Sequence, residues 1–407
     1  MIFKKYNSFN RKEVAAAAKV VKTGILSDYL ASWGPKFKGG KYVKLFEAKL
    51  AKYFNVKYAI TVNSWTSGLI TSIAALDIEP GDEIIVSPLT MSASAAAILH
   101  CNAIPVFADI EQDTFCIDPK SIEKKISKRT KAILTIDIYG QSCDMDAINK
   151  IAKKNKLKVI CDAAQAIGSK YKNYFTGTMG DIGGFSLNRH KHIHTGEGGV
   201  LVTNNKKLAD RMFMIRNHAE LIVKDKGEKK INNLVGFNFR LGEIECAIGI
   251  EQLKKLNFLI KNRIKIAKAL DLRLRKFKGL ITPKVRKNCT HVYYYYVIKI
   301  EKNFFKVGRD KIIKLLNKEG IYGLGKGYSN LHFLPLYQKK IAFGKKHFPW
   351  TANKRYISYK RGICPISEKL EKDQVIDFKL CLFDLSLSDI NNIEKIFKKV
   401  WKKILKK

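Results

Sequence analysis

The feature that most constrains the fold is an alternation of short apolar runs and helical patterns through the first half of the chain. The apolar runs are YAITVNS, DEIIVSP, IPVFADI, KAILTIDIYG, KVICDAAQA and GGVLVTNN. Most of them are continuous rather than alternating in hydrophobicity, which is typical of strands buried on both faces. Segments with helical periodicity, such as TSGLITSIAALDI, lie between them. This order predicts an α/β fold with a mostly parallel central sheet covered by helices.

The pattern changes in the second half of the chain. With 407 residues, the protein is too long for one ordinary core. A long helical stretch begins at FRLGEIECAIG; after it, HVYYYYVIKI predicts a strand, DKIIKLLNKEG a helix, and the tail further helices. We therefore predict a large domain over residues 1–255 and a smaller α+β domain over residues 256–407.

The composition limits the partners and the compartment. The net charge is +40, which favours anionic small molecules such as nucleotides. The lysines are scattered over helical faces rather than gathered in an arm with aromatic residues, so we expect no specific nucleic-acid interface. The eight cysteines form no CxxC pair, which is typical of reduced thiols in a cytoplasmic protein. The chain starts without a signal-peptide pattern, and no window reaches the apolar length of a membrane span.

Polar residues follow several of the predicted strands. Chemistry in a parallel sheet gathers at the carboxyl ends of its strands. Asp162 ends the apolar run KVICD, which places a carboxylate at such an edge; its alternative role is to cap a following helix. The segment NSWTSGL follows a strand and opens a helix, so its hydroxyl and N–H groups predict either an anion site or a plain helix cap.

The stretch FSLNRHKHIHTGEGG admits three interpretations: a metal site, a basic patch, or a covalent lysine. Its histidines, His190, His192 and His194, alternate around Lys191. A metal site is disfavoured because Glu197 is the only acid nearby. A lysine that bonds a carbonyl cofactor fits better. Pyridoxal phosphate (PLP) needs an acid at its ring nitrogen and a cradle for its phosphate, and the strand ends supply candidates for both.

Together these segments resemble the DegT/DnrJ/StrS sugar aminotransferases. The resemblance runs nearly end to end, and its most specific part is DAAQA followed by FSxxxxK and TGEGG. It implies a fold-type I PLP enzyme with a smaller C-terminal domain that acts on nucleotide-linked keto-sugars. It also implies an amino-acid donor, most often L-glutamate, and a homodimer with shared active sites.

The resemblance implies a role for each matching cofactor residue. Lys191 would carry PLP covalently and move the proton in both halves of the reaction. Asp162 would pair with the pyridine nitrogen, and Gln165 would bond the phenolic oxygen. The phosphate would be held by Ser186, Trp65 and Thr66, mainly through backbone N–H groups in the last two.

Three further residues are implied to reach beyond one subunit's cofactor. Asn238, in GFNFR, would contact the phosphate bound by the neighbouring subunit. Tyr328 and His332 lie in the segment that would face the sugar nucleotide, although a purely structural role for this pair is the alternative.

The chain departs from the family pattern at three places. The family usually has Ser-Gly-Thr where this chain has Ser64-Trp65-Thr66, and we expect Trp65 to reshape the pocket beside the phosphate or sugar. Met91 stands where an aromatic residue usually covers the ring, and its sulfur can pack on the ring instead. Lys191 is flanked by histidines, and relatives with histidine in place of this lysine are dehydratases. The fifth residue after Ser186 is the lysine, which favours an aminotransferase over a dehydratase. A non-catalytic regulatory protein is the other alternative, and it is disfavoured because the full set of matching residues is present: Asp162, Gln165, Ser186, Lys191 and Asn238.

Overall fold

A computed structural model describes residues 3–406 and contains two sheets and a short hairpin. The strands, in chain order, are β1 (Tyr58–Val62), β2 (Glu83–Val86), β3 (Ile104–Phe107), β4 (Thr130–Ile136), β5 (Lys158–Asp162), β6 (Lys170–Tyr171), β7 (Tyr174–Phe175), β8 (Ile182–Ser186), β9 (Gly199–Thr203), β10 (Leu280–Ile281), β11 (Tyr296–Ile300), β12 (Leu324–Gly325) and β13 (Val375–Phe378). Strands β6 and β7 form the hairpin.

The α-helices lie before, between and after these strands. They are α1 (Arg11–Val21), α2 (Lys41–Phe54), α3 (Trp65–Ala74), α4 (Ser92–His100), α5 (Pro119–Lys125), α6 (Met145–Lys154), α7 (Lys206–Arg216), α8 (Ala219–Ile222), α9 (Glu243–Leu274), α10 (Arg309–Lys318), α11 (Pro335–Gln338), α12 (Pro365–Asp373) and α13 (Leu387–Ile404). Among the residues that the structure describes, none of these helices has both the length and the apolar character needed to cross a membrane.

The large sheet has seven strands in the order β1-β9-β8-β5-β4-β2-β3. Strand β9 is antiparallel to both of its neighbours, and every other neighbouring pair is parallel. The mostly parallel α/β sheet predicted from the sequence is confirmed. Strand β8 was not predicted, because Gly183 and Gly184 interrupt its apolar run. A Cβ on either glycine would lie about 2 Å from a neighbouring carbonyl oxygen, so the sheet requires glycine there.

Alternate residues of the central strands enter different cores. Ile60 packs with α3 and α4 on one face, whereas Ala59 and Val200 pack with α2 and α9 on the other. The sheet is therefore covered by helices on both faces, and its strand ends are the part left open for a site.

The second sheet has four strands in the order β10-β11-β13-β12, and all its pairs are antiparallel. It packs with α10, α13 and the end of α9 around a separate buried cluster. The predicted boundary between residues 255 and 256 falls inside α9, which contributes Leu256 to the large core and Leu270 to the small one. One continuous helix thus joins the two cores.

Candidate active site

A cavity of about 300 Å³ lies at the carboxyl ends of β4, β5 and β8. Of the ten residues expected to contact the cofactor or the substrate, eight line this one cavity. They are Trp65, Thr66, Met91, Asp162, Gln165, Ser186, Lys191 and Tyr328. Asn238 and His332 do not line it.

Lys191 lies in the turn that follows β8. Its backbone N–H donates to the Asn188 carbonyl at 2.9 Å, and its Nζ lies 4.4 Å from the centroid of the Tyr294 ring. Burial lowers the pKa of Lys191 to about 8, although the negative charge of Asp162 opposes this shift. An amine that loses its proton near pH 8 can serve as a nucleophile toward a carbonyl and as a base.

Asp162 ends β5 and accepts three hydrogen bonds. Its Oδ1 accepts from Trp65 Nε1 at 2.7 Å and from the Ala164 N–H at 3.1 Å. Its Oδ2 accepts from Ser94 Oγ at 3.0 Å. Burial raises the pKa of Asp162, while these donors oppose the rise. The residues after Asp162 form a turn rather than a helix, so the alternative of a helix cap is wrong.

Asp137 is a second buried carboxyl group in the cavity, and sequence reasoning did not single it out. It follows β4, and its Oδ1 accepts from the Cys143 N–H at 2.9 Å. Burial raises the pKa of Asp137 to about 7, with a smaller contribution from the charge of Asp162. Asp137 lies in the apolar run KAILTIDIYG, and nothing in that run distinguishes it from a loop aspartate.

We expect Asp137→Asn to stabilise the cofactor-free protein at high pH. A carboxyl group whose pKa is raised on folding destabilises the fold once it has to ionise, so stability falls progressively as pH rises from its ordinary pKa of 3.8 to about 7. Asparagine can accept the same Cys143 N–H without ionising. Thermal denaturation should show a melting temperature higher than wild type by roughly 2–4 °C at pH 8 and by a smaller amount at pH 5.

The control for this prediction is Asp146→Asn. Asp146 is exposed, and a bond from Lys172 lowers the pKa of its carboxyl group, so its replacement gives no gain at pH 8. An Asp137→Asn protein whose melting temperature relative to wild type does not change between pH 5 and pH 8 would contradict the prediction.

Gln165 is held by bonds at both ends of its amide. Its Oε1 accepts from the Tyr139 N–H at 2.8 Å, and its Nε2 donates to the Tyr328 hydroxyl at 3.1 Å. Tyr328 in turn stacks on Tyr295, with ring centroids 6.1 Å apart and 5° between the planes. These contacts fix both side chains on one wall of the cavity.

The first turn of α3 provides an anion cradle. Ser64 caps the helix by accepting the Ser67 N–H at 3.1 Å, and the N–H groups of Trp65 and Thr66 have no intrahelical partner. The positive end of the helix dipole lies at the same place. Ser186 lines the cavity beside this turn, and its hydroxyl accepts from the Asn188 N–H at 3.3 Å. This set of donors fits a phosphate group.

The two unusual residues occupy different environments. The Trp65 side chain is only 6% exposed and packs against Gly68 and Gly184 under the site, rather than filling the space beside the phosphate. Met91 is 57% exposed at the mouth, directly before α4. Trp65 thus presents its backbone to the cradle and its indole to Asp162.

The remaining predicted residues lie outside the cavity. Asn238 is exposed, and its Oδ1 accepts from Arg240 Nε at 2.7 Å. His332 is fully buried, with its Nε2 3.1 Å from Glu368 Oε1 and its ring beside Phe107. In this position His332 contacts the core rather than the cavity.

The histidines around Lys191 do not form a metal cluster. His192 is buried with its Nε2 2.8 Å from the Val292 carbonyl oxygen, and burial lowers its pKa to about 3. His194 packs on the Phe9 ring, and only His190 lines the cavity. Within residues 3–406, no group of three histidine, cysteine or acidic side chains is placed to hold a metal ion.

Comparison with known proteins places the chain in a family. A sequence profile described as the DegT/DnrJ/EryC1/StrS aminotransferase family matches residues 30–378. The chain belongs to this family. The family is described as one of aminotransferases, and the resemblance inferred from the sequence motifs is confirmed.

Individual relatives of this DegT-family chain cover most of its length. The spore coat polysaccharide biosynthesis protein SpsC of Bacillus subtilis is 34% identical over 376 residues, which is 90% of this chain and 92% of SpsC. A GDP-perosamine synthase of Caulobacter vibrioides is 36% identical over 299 residues, or 73% and 79% of the two chains. The crystal structure of an aminotransferase from Psychrobacter cryohalolentis superposes with a TM-score of 0.84 at 27% identity, covering 99% of each chain. The fold is that of fold-type I PLP aminotransferases, as the motifs implied.

Proposed function

We propose that this protein transfers an amino group from an amino acid, with L-glutamate as the first candidate, to a keto-sugar linked to a nucleoside diphosphate. The observation that carries the proposal is the convergence of Lys191, the Asp162 carboxyl group and the anion cradle of α3 in one cavity. PLP, when bound, supplies the electron sink and carries the amino group between the two substrates.

The cavity offers a hydrogen-bond partner of the right kind for the phosphate, the pyridine nitrogen and the phenolic oxygen of PLP. The N–H groups of Trp65 and Thr66, with the Ser186 hydroxyl, would hold the phosphate. Asp162 would face the pyridine nitrogen, because Oδ2 accepts only one protein hydrogen bond. Gln165 Nε2 would reach the phenolic oxygen. These contacts would fix the ring relative to the Lys191 amine.

Lys191 would act as the general base and general acid in both halves of the reaction. Its Nζ lies in the cavity, where desolvation lowers its pKa to about 8, so it can accept and return a proton close to neutral pH. The face of Tyr294, 4.4 Å away, would stabilise the charged form without donating a competing proton to it.

Two alternatives are less well supported. A dehydratase would need a histidine at the position of Lys191, and the neighbouring His192 is bonded to a backbone carbonyl in the core. A non-catalytic regulatory protein would not need a lysine, a carboxylate and an anion cradle lining one cavity.

The names of the relatives suggest the substrate class. The Caulobacter vibrioides relative is a GDP-perosamine synthase, and SpsC is a spore coat polysaccharide biosynthesis protein. A GDP-linked 4-keto-6-deoxy sugar is therefore the first substrate to test, followed by UDP- and TDP-linked 3-keto and 4-keto sugars. The net charge of +40 favours such diphosphates without selecting among them.

The test of this function is a product assay. Purified protein with PLP and L-glutamate is incubated with each nucleotide keto-sugar, and mass spectrometry identifies products in which an amine replaces the carbonyl oxygen. Product with at least one nucleotide sugar, and none when glutamate is left out, supports the proposal. A product that has lost a hydroxyl group without gaining an amine would favour the dehydratase instead.

We also propose that the protein works as a cytoplasmic homodimer. Apolar side chains are exposed on two adjacent segments, residues 21–33 and 221–237, and such a patch is typical of an interface. Asn217, just before the second segment, donates to the Leu30 carbonyl of the first at 2.9 Å, which holds the two close together. Asn238 lies at the edge of this surface, where it would reach a second subunit. The free thiols of all eight cysteines are compatible with the reducing cytoplasm.

Subunit complementation tests the shared site. Lys191→Ala and Asn238→Asp each inactivate their own homodimer, the second because its carboxylate repels the neighbour's phosphate. A hybrid dimer carries both lesions in one site and none in the other. After mixing and refolding equal amounts, we expect about a quarter of wild-type activity. Activity no higher than that of the separate variants would contradict a site shared through Asn238.

A further inference from the structure

The shortest hydrogen bond to Asp162 comes from a tryptophan. Trp65 Nε1 donates to Asp162 Oδ1 at 2.7 Å, compared with 3.0 Å for Ser94 Oγ and 3.1 Å for the Ala164 N–H. The indole N–H is a donor only, so its proton always points at the carboxylate. Where the family usually has glycine, this chain has a side chain bonded to the carboxyl group at the floor of the cavity.

The indole is locked in this orientation by two glycines. A Cβ on Gly184 would lie 2.4 Å from the Trp65 ring, and a Cβ on Gly68 would lie 2.7 Å from it. Gly184 is on β8 and Gly68 is one turn further along α3, so the ring lies in a slot between a strand and its own helix. With only 6% of the residue exposed, the ring has no space to turn away.

The arrangement of donors gives the two carboxylate oxygens different roles. Oδ1 accepts two protein hydrogen bonds and Oδ2 accepts one, from Ser94. An ionised carboxylate oxygen can accept about two, so Oδ2 retains a site for another donor. Since Trp65 and Ala164 together fix Oδ1, the rotation of the carboxylate is set before any ligand enters.

We propose that the Trp65 side chain is a positioning residue whose indole N–H orients and stabilises the Asp162 carboxylate, so that Oδ2 bonds the pyridine nitrogen of PLP and keeps it protonated. This inference rests on the proposed function, because it requires PLP in the cavity. In this proposal the indole of Trp65 acts on Asp162, whereas the backbone N–H of the same residue would bind the phosphate.

The test compares two tryptophan-to-phenylalanine variants. Trp65→Phe removes the N–H and keeps an aromatic ring in the slot. Trp350→Phe is the matched control, since Trp350 is also buried and also loses one bond, from Nε1 to the Tyr359 hydroxyl at 2.9 Å. The readouts are the dissociation constant of PLP and the midpoint of the pH titration of the bound cofactor's visible absorption.

Trp65→Phe should weaken PLP binding by about tenfold, because a hydrogen bond to a charged group is lost. The titration midpoint should rise, since a less protonated pyridine ring draws fewer electrons from the Lys191 nitrogen. Trp350→Phe should match wild type in both readouts. Wild-type-like values for Trp65→Phe would overturn the inference alone, whereas a wild-type protein that does not bind PLP would overturn the proposed function as well.

A second measurement covers the case in which Trp65→Phe does not fold. The chain has four tryptophans, so ¹⁵N labelling gives four indole N–H signals, and variants of the other three assign Trp65 by elimination. Adding PLP to the wild-type protein should shift the Trp65 signal and leave that of Trp350 in place. A Trp65 signal that does not move while absorbance shows PLP bound would overturn the inference.

Discussion

Lys191→Ala will lower the rate of amino transfer by about 10⁴-fold or more. The variant loses the amine that bonds the cofactor and the group that moves the proton, and proton transfer alone accounts for factors of about 10²–10⁴. Steady-state assay with L-glutamate and an accepted nucleotide keto-sugar measures the loss. Because the substitution leaves space in a buried cavity, a small primary amine added to the solution should restore part of the rate.

The matched control is Lys206→Ala, which removes an exposed lysine that pairs with Asp210 on α7. Surface pairs of this kind contribute little to stability, so wild-type activity is expected. Borohydride treatment of the wild-type protein with PLP should also label the peptide that contains Lys191. A label on another lysine, or turnover that survives in Lys191→Ala without added amine, would refute the assignment.

Asp162→Asn will lower kcat/KM by about 10²- to 10³-fold while the protein stays folded. Removing one partner of a buried charged pair costs about 3–4 kcal/mol, which corresponds to this loss. The fold tolerates asparagine because its Oδ1 still accepts from Trp65 and Ala164, and the Ser94 hydroxyl can turn to accept from its amide. Steady-state kinetics measures the loss of activity, and circular dichroism shows whether the variant is still folded.

Asp181→Asn serves as the control for that substitution. Asp181 lies just before β8, where it bonds the Val159 N–H and pairs with exposed Lys158, away from the cavity. Its replacement is expected to leave kcat/KM within about twofold of wild type. If Asp162→Asn retained similar activity, a proton-holding role for the carboxylate would be excluded.

The periodicity of the sequence was enough to predict the class of fold, because buried parallel strands carry continuous apolar runs. It could not indicate that β9 runs opposite to its neighbours, since both directions produce the same run of apolar side chains. It also missed β8, where Gly183 and Gly184 are required by close backbone contacts that no local pattern records.

The sequence could predict those site residues that follow directly from their position at the end of a strand. Motifs placed Lys191, Asp162 and Gln165 at strand ends, and the structure brings them together. The direction of the Trp65 indole was not predictable, because it depends on Gly184, which is distant in sequence and adjacent in space. His332 shows the same limit, since its burial depends on contacts with Glu368 and Phe107 from other elements.

The visible absorption spectrum of the purified wild-type protein is the most direct test of the central claim that this cavity holds PLP for amino transfer. We predict that added PLP produces a visible band, that L-glutamate without an acceptor removes it, and that an accepted nucleotide keto-sugar restores it. A wild-type protein that develops no visible band with PLP, or one whose band no amino donor changes, would contradict the claim.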